Sequence, residues 1–512
     1  MSSPARQRAL AVGLAGALAL VAALGGASAA AEGPTLAAAA ARTGRQIGVA
    51  VAHDPLVREI AYGRLIAREF SSITPENELK WSPMAPAPEV VDDSRWETVL
   101  AAAAAAGQQV RGHTLLWDQQ LPSWAVALPD AALLAAQRAH TERLLAATSG
   151  RIAVWDVVNE ALEDDGSLSR TAMWRAGGER HLTDTFRTAR QMAPEAKLFY
   201  NDYGVEGINP KSDGMFAVLR RWRAAGVPVD GVGLQCHLKA GEAPPVAQLR
   251  ANIQRLGGLG LDVHLTEIDV QVRHLDGSDW GRDAVQARLL HQWVEACVAE
   301  PACTALTFWG LSDRHTWVDH AHGDDRPLLF DDELEPKLSY FAVRAALLGK
   351  PDPTCAVERL PEGGFDKGMG GWRASGGQGA VVEGPSGGPA LRVSGRTATW
   401  QGPVRTVTDS VADGLPLRAR AQVTVGPGGP AKVALTAHVI DGAGERFVPL
   451  AAGQAQPGRW TALEGALSID LKAPVRSVEL YVEGPPAGQE LWLDGASLRV
   501  DCPAAAGAKV RP

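Results

Sequence analysis

Ile152-Ala-Val-Trp-Asp-Val-Val-Asn-Glu160 is a short apolar run that closes on an amide and a carboxylate. Asp262-Val-His-Leu-Thr-Glu-Ile-Asp-Val270 is a second, with Glu267 near its end. Working outward from these two, comparable runs recur at 46–53, 71–75, 110–117, 197–203, 231–237 and 305–312. Amphipathic or alanine-rich stretches separate them, such as 96–106, 131–147 and 284–298. Eight strand–helix units in succession predict an α/β chain closed into a (β/α)8 TIM barrel. In such barrels chemistry sits at the C-terminal ends of the strands, where both glutamates fall.

The ends and the composition bound the rest. Arg6 and Arg8 precede an apolar stretch and then small residues, Ala27-Ser-Ala-Ala-Ala31, so residues 1–30 read as a secretory signal peptide. Its removal moves the net charge from −8 to about −10, and an acidic chain without basic clusters argues against nucleic acid as a partner. No later run is continuously apolar long enough to span a bilayer, so after cleavage no membrane partner is expected. The protein is expected to be extracellular and monomeric. Five cysteines suit that destination. Cys297 and Cys303 are close enough for a local bridge, Cys355 and Cys502 bracket the C-terminal segment, and Cys236 is left over as a buried thiol in mid-strand.

Paired carboxylates at barrel strand ends suit glycosidic bond cleavage, one as proton donor and one as nucleophile. Period-two geometry puts Glu267 and Asp269 on one face of strand seven, and Gln235 and His237 on one face of strand six. Asn159 and Glu160 end strand four, Glu76, Asn77 and Lys80 follow strand two, His113 and Trp117 end strand three, and Trp309 and Trp317 follow strand eight. Carboxylates, amides and exposed indoles together fit a sugar, whose hydroxyl edges need hydrogen bonds and whose apolar faces stack on rings. A lone tryptophan is usually core, so of the 15 only Trp117, Trp309 and Trp317 are assigned to this groove. Glu78 and Asp202 read as supports.

These residues stand in stretches that resemble glycoside hydrolase family 10: Ser72-Ile-Thr-Pro-Glu-Asn-Glu-Leu-Lys-Trp81, Arg111-Gly-His-Thr-Leu-Leu-Trp117, Trp155-Asp-Val-Val-Asn-Glu160, Leu265-Thr-Glu-Ile-Asp269, Phe308-Trp-Gly-Leu-Ser-Asp313 and Trp317. The resemblance runs in order across about 45–345. It implies a retaining endo-1,4-β-xylanase acting on xylan and xylo-oligosaccharides without a catalytic cofactor. On that basis Glu160 is the acid/base, Glu267 the nucleophile, Asn159 a partner of the sugar 2-hydroxyl, and His237, backed by Asp269, a hydrogen-bond partner of Glu267. Glu76, Asn77, Lys80, His113, Trp117, Gln235, Trp309 and Trp317 line the sugar subsites. Three positions depart from the family pattern: Asp118 where histidine is usual, Gly204 where asparagine is commoner, and Cys236. Asp118 is expected to alter the charge felt across the site. A barrel glycosidase of cellulose or mixed β-glucan and a catalytically dead polysaccharide-binding barrel are the rival readings.

After about 350 the texture changes to Gly, Pro and Val with short alternating runs at 431–439, 477–482 and 490–493. The division is therefore a catalytic barrel over 31–350, a linker over 351–357 and an all-β sandwich of jelly-roll type over 358–512. Gly363-Gly-Phe-Asp366 with Trp372, Ser394-Gly-Arg-Thr-Ala-Thr-Trp-Gln-Gly-Pro403, Leu480-Tyr-Val-Glu483 and Trp492-Leu-Asp494 resemble a carbohydrate-binding module, most similar to family 22 and then to families 4 and 9. The resemblance implies that Trp400, Tyr481 and Glu483 touch a xylan chain; Trp400 as core is the alternative. Asp366 and Asp494 are either oxygen donors to a structural Ca²⁺ or solvated carboxylates.

Overall fold

The computed structural model describes residues 33–502. The signal peptide expected at 1–30 lies outside the described residues, as do positions 503–512 of the C-terminal module. The first strands are β1 (Gln46–Val51), β2 (Ser72–Pro75), β3 (Gln109–Leu116), β4 (Val154–Asn159), β5 (Lys197–Asp202) and β6 (Gly231–Leu234). There follow β7 (His237–Lys239), β8 (Asp262–Gln271) and β9 (Cys303–Phe308). All pair in parallel, in the order β6-β5-β4-β3-β2-β1-β9-β8-β7, and β6 also pairs with β8 to close the barrel. Strands covered on both faces read as near-continuous apolar runs, and β1 and β4 are buried almost throughout. The helix Ser94–Ala106 shows the outer ring's logic, burying Trp96, Val99, Leu100 and Ala103 at helical spacing.

Register delivers the site. Across β3 and β4 His113 stands opposite Asp156, and across β4 and β5 Asn159 stands opposite Asn201. Gly112 leaves the space that Trp155 fills, and Gly233 the space that Asn201 fills; a Cβ at either would collide with that side chain.

One expectation is corrected. The sixth stave does not run unbroken to 237: β6 stops at Leu234, and the chain resumes as β7, pairing His237 with Asp269. The cause is Cys236, which is not in mid-strand but in the left-handed region at φ 67°. A residue there cannot continue a ladder.

The C-terminal part is a sandwich of antiparallel strands: β10 (Arg373–Ala374), β11 (Gln378–Glu383), β12 (Pro389–Ser394), β13 (Pro403–Thr406), β14 (Leu417–Val425), β15 (Ala431–Asp441), β16 (Gly444–Ala455), β17 (Thr461–Leu467), β18 (Ser477–Glu483) and β19 (Leu491–Val500). They form two five-stranded sheets, β10-β13-β18-β15-β16 and β11-β12-β19-β14-β17. Cys297 pairs with Cys303 and Cys355 with Cys502, leaving Cys236 free and buried. The second bridge spans 147 positions, and closing so long a loop is worth about 2–5 kcal/mol in the chain-entropy account.

The connecting segment is folded: Pro353–Ala356 is a 3-10 turn capped at its start by Asp352, whose carboxylate accepts from Thr354 N at 2.9 Å and from the Thr354 hydroxyl at 2.8 Å. The sandwich packs on the loop that follows β8. Ser278 N donates to Val411 O at 2.8 Å, Asp413 N to Asp276 O at 2.7 Å, and Ala473 N to Asp276 Oδ2 at 2.9 Å. Ala284 belongs to the sandwich core, and the Arg359 guanidinium lies 4.1 Å from the Trp280 ring. Gly281 sits where a Cβ would come within 2.7 Å of Ala412 Cβ and Val411 O. Gly281→Val therefore forces the two parts to separate or strain, at about 1–3 kcal/mol. We expect calorimetry to give one cooperative transition for the wild type and a lower, split one for the variant; an unchanged trace would mean the contact contributes nothing.

Candidate active site

Glu267 lies within β8, which is buried from Val263 to Gln271, and is only 4% exposed. Three side chains hold its oxygens. Asn201 Nδ2 donates to Oε1 at 2.7 Å, His237 Nε2 donates to Oε2 at 3.2 Å, and His113 Nδ1 lies 4.0 Å from Oε1. Burial pushes the Glu267 carboxyl up, but the charge of His113 and then the hydrogen bond and charge of His237 outweigh it, so the net displacement is downward. The carboxylate is kept ionised in a dry place.

Both histidines are themselves tied back. His237 Nδ1 donates to Asp269 Oδ2 at 2.7 Å, and Trp317 Nε1 donates to the same oxygen at 2.8 Å. Burial works against a charged His237, yet the Asp269 charge and hydrogen bond, followed by those of Glu267, lift it to about 10. His113 Nδ1 donates to Asp156 Oδ2 at 3.1 Å, and Arg111 Nε donates to that oxygen at 2.9 Å. Burial raises Asp156, but Arg111 and His113 bring it below its ordinary value.

Glu160 stands one residue past β4 with φ 56°, its N–H donating to Asn201 O at 2.8 Å. It is half-buried, and four N–H groups reach it: Trp117 Nε1 and Gln119 Nε2 to Oε2, both at 2.8 Å, and Gln235 Nε2 and Asn159 Nδ2 to Oε1 at 2.9 and 3.1 Å. Asn201 Nδ2 also donates to Asn159 Oδ1 at 2.8 Å, so two amides connect the surroundings of the two glutamates.

Both glutamates open into one cleft of about 910 Å³. Glu76, Asn77, Lys80, His113, Trp117, Gln235, His237, Trp309 and Trp317 all line it. Asn159 and Asp269 are buried behind that surface. Lys80 Nζ donates to Asn77 Oδ1 at 2.9 Å and lies over the rings of Trp117 and Trp309 at 5.0 and 5.8 Å. Burial lowers Lys80, opposed by Glu267, Glu76 and Glu160. Burial raises Glu76 to about 7 against the pull of Lys80.

Asp118 needs a second correction. It does not face the cleft: its Oδ1 accepts from Met173 N at 3.0 Å and its other oxygen from the Thr171 hydroxyl, at the start of the helix Ala172–Met192. Burial pushes the Asp118 carboxyl up, and the hydrogen bonds from Thr171 and Met173 offset this only in part. Gly204 has φ 66°, a region that glycine and asparagine both tolerate, which accounts for that departure. Glu78 and Asp202 are supports. Glu78 accepts from His53 N and Asn77 N at 2.9 and 3.0 Å, and Asp202 pairs with Lys211 at 3.0 Å while burial raises it to about 7.

Sequence reasoning missed several contributors. Asn201 and Gln119 touch the glutamates directly; the signal for each was an amide at or just past a strand end. Tyr203, Arg314, His315 and His320 also line the cleft.

In the sandwich, Tyr481 and Glu483 share the outer face of β18, and Trp400 is 54% exposed on a loop joined to that strand's end by Gly484 N donating to Thr399 O at 3.0 Å. Trp400 is therefore not core. Phe447, 62% exposed, stacks on His438 at 4.5 Å, and His438 meets Tyr481 at 5.8 Å, making an aromatic strip across β16, β15 and β18. Asp366 raises Asp494, after the larger effect of burial, and no basic side chain contributes to that shift. Among the described residues no third acid, histidine or cysteine joins them in a cluster.

A closed parallel barrel with two carboxylates and three indoles lining one cleft defines a glycoside hydrolase. The chain matches the model of Glycosyl hydrolase family 10 over residues 35–346 and that of a carbohydrate binding domain of families 4 and 9 over residues 358–489. It belongs to glycosyl hydrolase family 10, and its sandwich matches a carbohydrate binding domain of families 4 and 9, which were expected beside family 22. Endo-1,4-beta-xylanase B of Thermotoga neapolitana is 33% identical over 286 residues, 55% of this chain and 82% of that protein. The structure of native xylanase 10B from Thermotoga maritima superposes with a TM-score of 0.59 at 32% identity, covering 61% of this chain and 98% of that one. Xylanase 10B of Thermotoga petrophila in complex with xylobiose gives 0.60 at 31% identity, covering 62% and 98%.

The His237 cation should persist through neutral pH and vanish as pH rises through about 10. Asp269→Asn removes the largest influence that raises it, so NMR titration of the His237 ring should move down by about 1–3 pH units. A midpoint still near 10 would mean that Glu267 alone sustains the charge.

Proposed function

We propose that this protein is a secreted, monomeric endo-1,4-β-xylanase that hydrolyses internal β-1,4-xylosidic bonds with retention of configuration. The observation that carries the reading is the pairing in one cleft of Glu267, nearly buried yet held ionised between two histidines and an amide, with the half-buried Glu160. The names of the similar xylanases supply the substrate class. Export is supported by two disulfides and by the leader-like pattern at the N-terminus.

Glu267 attacks the anomeric carbon while Glu160 gives its proton to the departing glycosidic oxygen, so the C–O bond breaks and a glycosyl ester on Glu267 forms. The departing sugar leaves, water takes its place, and Glu160 removes a proton from it as the water oxygen attacks the same carbon. The ester bond breaks and Glu267 returns as carboxylate. His237 and Asn201 orient the attacking oxygens, and Asn159 is placed to exchange its Glu160 contact for the sugar 2-hydroxyl. Lys80, Asn77 and Glu76 offer donors and acceptors to the sugar edge, with Trp309 and Trp317 as apolar walls.

The sandwich is read as a xylan-binding module that uses Tyr481, Glu483 and Trp400, extended by Phe447. Asp366 and Asp494, with Asp366 helping to raise Asp494, have the hard oxygen donors that a structural Ca²⁺ takes. Catalysis is assigned no cofactor.

Protein recovered from culture medium, with its N-terminus near residue 31, should release short oligomers from xylan and far less sugar from carboxymethylcellulose. Glu267→Ala should abolish release, and Glu160→Ala should lower it about 10²–10⁴-fold; on a substrate whose leaving group needs no proton the first step should be spared, and the second, which uses Glu160 as base, should become limiting. Proton NMR of the first product should show the β-anomer. The α-anomer would sink retention, and folded enzyme active only on glucan would favour the rival substrate. For the module, Phe447→Ala with Tyr481→Ala should weaken retention on insoluble xylan about tenfold and spare hydrolysis of soluble oligosaccharides. Chelator should lower the melting temperature and Ca²⁺ restore it; a melting curve indifferent to both would leave the two aspartates solvated.

A further inference from the structure

Among the described residues, four that are not glycine have positive φ, and two of them, Glu160 and Cys236, are at the site. A β-carbon is disfavoured in the left-handed region and persists there only where neighbours over-determine it. At Cys236 the neighbours are specific. Its N–H donates to Glu206 Oε1 at 2.8 Å, its carbonyl accepts from Asp269 N at 3.3 Å, and its thiol lies 3.2 Å from Leu234 O. Glu206 is a carboxyl group 4% exposed, and burial pushes it up. A buried carboxyl group is costly to keep, and nothing in the sugar-lining surface uses this one.

What the bend at Cys236 accomplishes is visible in its two flanking side chains. Gln235 reaches Glu160 Oε1 at 2.9 Å and His237 reaches Glu267 Oε2 at 3.2 Å. One left-handed residue thus distributes adjacent donors to two different carboxylates. We propose that Glu206 is a positioning residue for both halves of the reaction: by accepting the Cys236 amide it holds the bend that sets Gln235 on Glu160 and His237 on Glu267. The inference rests on the assignment of those glutamates in the proposed function.

The test compares Glu206→Ala and Glu206→Asp with wild type, each alone and combined with Cys236→Gly, because glycine adopts the left-handed conformation without support. Two aryl xylobiosides serve as substrates, one whose leaving group needs no proton and one that does. Glu206→Ala should lower kcat about 10–100-fold on both, with KM little changed. Glu206→Asp keeps the charge and loses the reach, so it should behave alike and supplies the comparison if the alanine variant does not fold. Cys236→Gly should recover most of the loss in either background, which a purely structural role would not give. A folded Glu206 variant with wild-type kcat on both substrates, or a loss that glycine does not relieve, overturns the proposal. Wild-type enzyme inactive on both would instead overturn the xylanase reading beneath it.

Discussion

An ionised carboxylate almost wholly removed from water is the constraint on which this barrel is organised. Left alone, such a charge would cost several kcal/mol and would take up a proton instead. Glu267 escapes that because His237, His113 and Asn201 surround it, and each of those is anchored in turn. Asp269 and Trp317 fix His237, Asp156 and Arg111 fix His113, and the Thr266 hydroxyl donates to Asn201 Oδ1 at 2.7 Å. Charges alternate from the cleft to the barrel floor, ending where Arg111 donates to His264 Nδ1 at 3.0 Å. Burial, reinforced by Arg111, holds His264 far below its ordinary value, so that nitrogen is available to accept. Only a closed ring of strands brings residues this distant in sequence into one such network.

The second glutamate lives under different physics. The hydrogen-bond partners of Glu160 are an indole and three amides, none charged. A group assigned to give up and regain a proton within one turnover is better served by neutral donors than by a fixed cation, which would favour one state throughout. The two carboxylates thus have contrasting neighbourhoods although one barrel supplies both. Asn159 and Asn201 bridge these neighbourhoods, so a displacement at one reaches the other through three hydrogen bonds.

The barrel was legible because strands buried on both faces announce themselves as unbroken apolar runs, and the eight expected staves lie within a few residues of the observed ones. The conspicuous failure, at 235–237, has a local cause. A left-handed residue is signalled by glycine or asparagine, and here a cysteine is held in that conformation by a carboxylate from another loop. Asp118 was misread for a similar reason, since its capping partner, the helix beginning at Ala172, is distant in sequence. Asn201 and Gln119 escaped because an amide at a strand end has no periodic signature. The strip of Phe447, His438 and Tyr481 arises only from cross-strand register, which a linear reading does not contain.

The docking of the sandwich adds a constraint of its own. The loop it grips follows β8, the strand that carries Glu267, and is held on its other side by Asp325, which accepts from Val272 N and Arg273 N at 3.0 Å. A freely tethered module can search for any nearby stretch of polymer, and its benefit depends on linker length alone. A docked one has a fixed angle to the cleft, so it adds avidity only for chains that run in one direction between the two surfaces, and none for the rest. The same contacts tie the loop after β8 to a second core and a long-range disulfide. Binding geometry and loop stability are therefore one property of this interface, and evolution cannot change the first without disturbing the second.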